Sequence, residues 1–318
     1  MSAYIIRRLL LMLPTILGAS ILIFGIMRIL PGDVALMILQ AEDPSAQVDA
    51  QAYEQLKQEL GLDKPLVVQY AEWIGGVLRG DLGNSLRTRS SVAGEIVQRL
   101  PISLQIALMA SAIGMLLGVP LGVLAAFRQD TWCDYGLRGV AAMGLAMPSF
   151  WIGIIILVVG ARFFQWSPPI GYNPIWKGLG LNLTQLIWPG MVIGLAQISI
   201  LSRMTRSSML EVLREDYVRT ARAKGLSERL VVLRHALRNA FIPVLTLAGL
   251  SLGFSLGGSV VMETIFTIPG MGLLFIEAAR WRDYTVVQGL VLWMVLVFTF
   301  INLLIDLTYS WLDPRIRY

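Results

Sequence analysis

Glu215-Asp216-Tyr217-Val218-Arg219-Thr220-Ala221-Arg222-Ala223-Lys224-Gly225-Leu226-Ser227 lies in the middle of a basic segment, 203–239, set between two long apolar runs. Asp216 is placed to cap a short helix, because its carboxylate can accept from the free amides of the first turn. Lys224 then falls in the last turn, where a cation suits the helix dipole, and Gly225 can close the helix in the left-handed conformation. Ser227 can cap a second helix running towards Pro243. The pattern is helix, glycine hinge, helix. Val218, Ala221 and Leu226 would give it a small dry contact surface edged by Arg219, Arg222 and Lys224. A helix this short gains little from propensity and persists only when docked. The segment therefore reads as a plug for another protein's groove, since a solvated basic loop needs neither cap nor hinge.

Composition sets the surroundings. The 318 residues are 56% hydrophobic and 15% charged, with a mean hydropathy of +0.67, which excludes an ordinary soluble domain. Six long uncharged stretches follow from the charge pattern: Leu9 to Met27, Pro101 to Phe127, Gly139 to Ala161, Gly178 to Ser202, Asn239 to Met262 and Tyr284 to Ile305. Each reaches the roughly 20 residues that cross the hydrocarbon core. The expected fold is an all-α membrane protein with six transmembrane helices forming one domain over 1–318. The long connection 31–100 and the connection 263–283 would lie outside, and the 203–239 loop in the cytoplasm. That orientation comes from the basic residues. The 203–239 loop holds nine, and Arg7, Arg8, Arg128, Arg138, Arg315 and Arg317 stand on the same side. The opposite side carries Arg162, Lys177, Arg280 and Arg282. Both termini are therefore expected in the cytoplasm. Arg7-Arg8 before an apolar run also suits a signal peptide, but the run is too long and no small-residue cleavage site follows, so it reads as a retained anchor. The pI of about 9.5 comes from residues dispersed over membrane-flanking loops, which argues against nucleic acid. The lone Cys133 allows no internal disulfide and no metal cluster.

Tyr217 to Leu226, with His235-Ala236-Leu237-Arg238-Asn239-Ala240 and Pro243 downstream, resembles the EAA loop of ABC-importer permeases of the oligopeptide/dipeptide subgroup. The general motif has Glu-Ala-Ala six residues before the glycine and a proline thirteen after it, where this chain has Arg219-Thr220-Ala221 and Arg238. The subgroup's own version, Thr-Ala-Arg-Ala-Lys-Gly, matches Thr220 to Gly225. Pro31-Gly32-Asp33, Gly61-Leu62-Asp63-Lys64-Pro65-Leu66, Gly80-Asp81-Leu82-Gly83 and the terminal Leu312-Asp313-Pro314-Arg315-Ile316-Arg317 extend the likeness over nearly the whole chain. The resemblance implies a type I ABC importer permease fold in a bacterial inner membrane. It also implies a coupling helix at 216–227 that docks on an ATPase, with Tyr217, Val218, Arg219, Thr220, Ala221, Arg222, Ala223, Lys224, Gly225 and Leu226 as docking residues. The implied partners are a second homologous permease, two cytoplasmic ATPase subunits or domains that bind the ATP and Mg, and an external solute-binding protein. The implied substrate is a di- or oligopeptide; related systems move nickel chelates, opines, glutathione or oligosaccharides.

Other features are read from the residues themselves. Leu66, Val67, Tyr70, Trp73, Ile74, Val77 and Leu78 recur at helical spacing after Pro65. That helix would lie in the outer headgroup layer, with Tyr70 and Trp73 at the interface, or receive an external partner. Val92 to Leu100 reads as an elbow helix ahead of Pro101, and Leu273 to Arg280 as a short helix. Gly114, Gly118 and Gly122, and again Gly249, Gly253 and Gly257, form four-residue ladders for close helix packing. Ser251, Ser255 and Ser259 fall on the opposite side of the second ladder. They either line a water-filled pathway, with Gln197 and Ser199, or bond back to their own helix carbonyls. Pro14, Pro120, Pro148, Pro189 and Pro243 are tolerable kinks. Glu263, Glu277, Arg280, Arg282 and Asp283 are expected to pair among themselves.

Missing chemistry narrows the function. No Gly-x-x-x-x-Gly-Lys-[Ser/Thr] occurs, so ATP should not bind this chain. The single histidine, His235, has no metal-ligand partner at suitable spacing, and paired catalytic residues are absent from the spans. The apolar stretches also lack the ionisable groups of an ion-coupled carrier. The energy is expected to come from outside, through the basic loop, in a subunit that is not itself an enzyme. The alternative is an ATP-independent channel or secondary carrier, which would work alone.

Overall fold

The structure, a computed structural model, describes residues 2–29, 33–42 and 49–312. Pro31-Gly32 and the terminal Asp313 to Arg317, part of the resemblance above, lie outside the described residues. In chain order the helices are α1 (Ser2–Ile29), α2 (Val34–Glu42), α3 (Ala50–Glu59), α4 (Leu66–Leu78), α5 (Val92–Phe127), α6 (Trp132–Ala146), α7 (Ser149–Phe164), α8 (Leu179–Val212), α9 (Asp216–Ala223), α10 (Glu228–Leu230), α11 (Leu237–Ile265), α12 (Met271–Arg280) and α13 (Tyr284–Leu312). A π-helical segment, Val231–Ala236, joins α10 to α11. Among the described residues there is no β-strand, only an isolated bridge between Asn84 and Ser91.

Five continuous helical runs are long and apolar enough to cross a membrane: 7–29, 92–127, 179–212, 228–265 and 284–305. The expected third span, Gly139 to Ala161, is different. It is broken between α6 and α7, whose axes bend by 93°. Pro148 is the cause. Its ring disfavours the helical region for the residue before it, and Met147 is extended at φ −89°, ψ 124°. The helix restarts with Pro148 as N-cap. The bent pair counts as a sixth span only if both arms belong to one crossing. At the other prolines the outcome is reversed: Pro14, Pro189 and Pro243 sit inside continuous helices. Pro101 likewise leaves no break, so the expected elbow Val92 to Leu100 is the first part of α5.

The chain divides into two compact units, one of residues 1–101 and 270–299, the other of residues 102–269 and 300–318. The first packs Ile23, Met27, Val34, Val92, Met271 and Leu290 in its core. Here α4 docks on α1: the Phe24 ring lies 5.4 Å from Tyr70 and 6.2 Å from Trp73. Ser20 and Tyr70 hydroxyls bond at 2.9 Å, and Arg28 Nε donates to Gln69 Oε1 at 2.9 Å. Tyr70 and Trp73 are thus half-buried against a helix of their own chain, while Leu66, Val67 and Leu78 are exposed. Asp283, expected to pair with nearby arginines, is buried and accepts from the Ser85 hydroxyl and the Leu86 amide. It fastens the 83–91 turn to the start of α13.

The second unit is organised on α8, which packs against α6, α7 and α11 and meets α5 at very short range. A Cβ on Gly114 would stand 2.7 Å from Gln197 Cβ, one on Gly118 3.0 Å from the Ile198 carbonyl, and one on Gly122 2.5 Å from the Ser202 carbonyl. Only glycine allows these approaches. The α11 ladder is less uniform. A Cβ on Gly249 would stand 2.5 Å from Ile305 Cδ1 and Gly253 is buried, but a Cβ on Gly257 would meet nothing within 4 Å. Gly122→Leu should therefore lower the thermal midpoint of the purified chain, by an overpacking cost of about 1–3 kcal/mol or more. Gly257→Leu should leave that midpoint nearly unchanged. Equal shifts in a detergent melting experiment would show that the α5–α8 contact does not hold the unit together.

Candidate functional site: the helix–glycine–helix turn

The Glu215-to-Ser227 stretch folds as a closed turn. Glu215, not Asp216, is the N-cap, and no side chain caps the amides there. Asp216 instead opens α9 and lies 3.4 Å from Arg219 Nη1. The exit is more strongly specified. Gly225 has φ +79°, its amide donates to the Arg222 carbonyl at 2.9 Å, and the Leu226 amide donates to the Ala221 carbonyl at 3.4 Å. These two bonds, with glycine in the left-handed region, define a Schellman closure, and its customary apolar contact is present between Leu226 and Ala221.

The inward face of α9 differs from expectation. Val218 and Ala221 are buried against Val231, with Val212, Leu213 and Leu226 around them. Their dry contact is made within the chain, so they do not form an outward surface. What points outward is Tyr217, Arg219, Thr220, Arg222, Ala223 and Lys224. Two polar clasps hold the fold of the turn. Arg222 forms a two-pronged pair with Glu228 at 2.7 and 3.1 Å, and this hydrogen bonding holds the Arg222 pKa above the ordinary arginine value. Tyr217 accepts from Asn239 Nδ2 at 2.7 Å, which ties α9 to the start of α11 and accounts for both residues of the motif. Below the turn, Val232, Ala236 and Ala240 pack on Met209 and Ala126, again with Val212 and Leu213 alongside. The end of α8, the turn and the start of α11 thus share one apolar seam.

The serine strip is largely turned inward within this chain. Ser255 and Ser259 are buried, their hydroxyls bonded to the carbonyls of Ser251 and Leu256 at 2.7 and 2.9 Å. Gln197 donates to Ser255 Oγ across the α8–α11 contact at 2.5 Å, and Ser199 bonds back to Leu195. Within the chain Gln197, Ser199, Ser255 and Ser259 are thus buried, while Ser251 is only partly buried. Two polar arrangements were not foreseen. Asp134, fully buried on α6, receives Nε and Nη2 of Arg206 on α8, both at 2.7 Å. The expected span began at Gly139 and so left Asp134 out, and its partner is 72 residues distant, beyond any helical spacing rule. Buried Asn182 and Gln185 hold the 171–173 backbone, while Tyr172 donates to Gln105 at 3.0 Å.

These features define a multi-pass, all-helical membrane subunit. The chain matches the family described as binding-protein-dependent transport system inner membrane component over residues 118–318, and that family's N-terminal region over residues 1–107. It belongs to this family of ABC-transporter permeases. It is 39% identical over 338 residues to the dipeptide transport system permease protein DppB of Alkalihalophilus pseudofirmus. To the oligopeptide transport system permease protein AppB of Bacillus subtilis it is 40% identical over 321 residues. In both cases the whole of each chain is covered. An inward-facing structure of the MetNI methionine ABC transporter superposes with a TM-score of 0.55 at 15% identity, over 69% of this chain and 96% of that one, a likeness of fold.

Two expectations follow. Gly225→Val forces a branched residue into the left-handed region at a cost of roughly 1–2 kcal/mol, so trypsin should cut at Arg222 or Lys224 faster than in the parent. Asp134→Asn leaves the Arg206 cation without its counter-charge and should cost about 3 kcal/mol. The double variant D134N/R206Q should recover much of that in thermal unfolding.

Proposed function

We propose that the chain is the permease of an ATP-driven importer of di- or oligopeptides, working with a second homologous permease, two cytoplasmic ATPase subunits and an external binding protein. The 203–239 loop and both termini lie in the cytoplasm in this reading, and ATP and Mg are bound by the ATPases alone. The observation that carries the proposal is the shared seam: Val212 and Leu213 contact both the α9 cluster and the cluster at the base of α11. A displacement applied to α9 then moves the ends of α8 and α11 together, where a loose loop would absorb it.

The residues divide by role. Val218, Ala221, Gly225 and Leu226 keep α9 closed and seated, whereas Tyr217, Arg219, Thr220, Arg222, Ala223 and Lys224 meet the ATPase. The peptide substrate rests on the relatives, whose names specify dipeptide and oligopeptide transport.

Charge reversal separates the roles. Arg219→Glu combined with Lys224→Glu alters two exposed side chains without touching the seam. The double variant should insert normally, release the ATPases on purification and lose peptide uptake about tenfold, equivalent to some 1.4 kcal/mol of coupling. Undiminished uptake with ATPases still bound would refute the docking role, and uptake by the purified chain alone would favour a carrier.

A further inference from the structure

A cleft opens between the C-terminal part of α5, residues 137–144 of α6 and residues 195–206 of α8. Its wall is apolar, formed by Leu121, Ala125, Val140, Leu195 and Ile198. The serines there add no polarity, because Ser199 and Ser202 bond to carbonyls of their own helix. Three arginines stand in the same cleft: Arg138, Arg203 and Arg206. Arg206 is neutralised by Asp134. Among the described residues, neither Arg138 nor Arg203 makes an ion pair. Arg138 lies over the Tyr135 ring at 5.7 Å, and Arg203 is exposed. Trp132, 92% exposed, and Tyr135 occupy the first turn of α6, ahead of the cleft-lining part of that helix. Aromatic residues of this kind settle at the headgroup level of a bilayer.

We propose that this cleft binds one anionic phospholipid, with an acyl chain along the apolar wall and the phosphate between Arg138 and Arg203. The reasoning is charge complementarity. Three guanidiniums, those of Arg138, Arg203 and Arg206, share the single buried carboxylate of Asp134 beside an oily groove, so the cleft keeps an excess of positive charge, and basic pockets between membrane helices select anionic headgroups. A guanidinium suits the task, since its fork matches two phosphate oxygens. A free phosphate ion would satisfy the arginines equally but leave the apolar wall without a partner. The site is separate from the docking turn and does not depend on the peptide reading.

Cys133 is the chain's only cysteine and is exposed four residues before Leu137 of the cleft, so bimane attached there reports on lipid contact in vesicles holding the full chain. Brominated phosphatidylglycerol should quench the label at a several-fold lower mole fraction than brominated phosphatidylcholine. That preference should vanish in R138Q/R203Q and persist in R138K/R203K. Unchanged quenching by phosphatidylcholine shows that the glutamine variant remains folded; if it does not, R203Q alone decides, by at least halving the preference. Equal quenching by both lipids in the parent chain, or a preference that survives loss of the charges, overturns the proposal. Loss of the preference on adding millimolar inorganic phosphate overturns it too, by showing an anion site without a lipid.

Discussion

The close approach of α5 to α8 is the constraint on which the larger unit rests. Within a membrane the hydrophobic effect does not drive helices together, because lipid is as apolar as leucine; contact, hydrogen bonding and shape must do it. Gly114, Gly118 and Gly122 remove three side chains from one face of α5, and α8 fills the space with backbone atoms of Ile198 and Ser202 and side chains of Gln197, Leu201 and Thr205. The reverse also occurs: Gly194 of α8 receives Ile113 of α5, where a Cβ would stand 3.0 Å from its Cγ2. With small residues on both helices, α8 is clamped along its length and can carry α6, α7 and α11 around it.

That clamp explains the placement of the polar groups. A polar atom in hydrocarbon must find its partner inside the protein or cost several kcal/mol. Gln197 and Ser255 bond to each other across α8 and α11. Glu263, buried near the end of α11, accepts from Ser103 on α5 at 2.6 Å. Asp134 and Arg206 join α6 to α8. Each link fastens a helix to a neighbour at one height, so it fixes register where apolar packing alone would allow sliding. An ion pair so placed is weak evidence for net stability, but losing one partner leaves a buried charge. In a clamped bundle a small hydroxyl is as useful for packing as for wetting, and Ser199, Ser255 and Ser259 each find a carbonyl of their own helix.

What the sequence disclosed followed the range of each interaction. Local rules reached local features: the glycine closure at Gly225, the helix after Pro65, the helix ending at Arg280 and the places of five of the six apolar spans. The Pro148 break was open to the same rules, since Met147 before a proline resists the helical region, but kinks at Pro14, Pro189 and Pro243 obey the same chemistry and remain inside helices. Whether a proline kinks or breaks depends on neighbours that sequence spacing does not reveal. Tyr70 and Trp73 have an interfacial composition and also pack on Phe24, a contact that spacing does not reveal. In the turn itself, periodicity identified Val218 and Ala221 as one face. Which way that face points was decided by Val231, on a segment whose π-helical register no spacing rule anticipates.

The inward turn of that face strengthens the mechanical argument. Had Val218 and Ala221 pointed outward, α9 would have been fastened to its own chain only by its covalent ends and by polar clasps exposed to water, where an ion pair contributes little. Seated on Val231, it becomes the outer layer of the seam that includes Val212 and Leu213. Ala221 is small because the Schellman closure brings Leu226 over it. Gly225 is glycine because the closure needs φ near +79°. The short motif is thus a recipe for stiffness, which leaves the neighbouring exposed positions free to vary with whatever they meet. A subunit in which the proposed docking helix and the ends of two membrane-spanning helices share one apolar layer can convert displacement at its surface into tilt within the bilayer without a nucleotide site of its own.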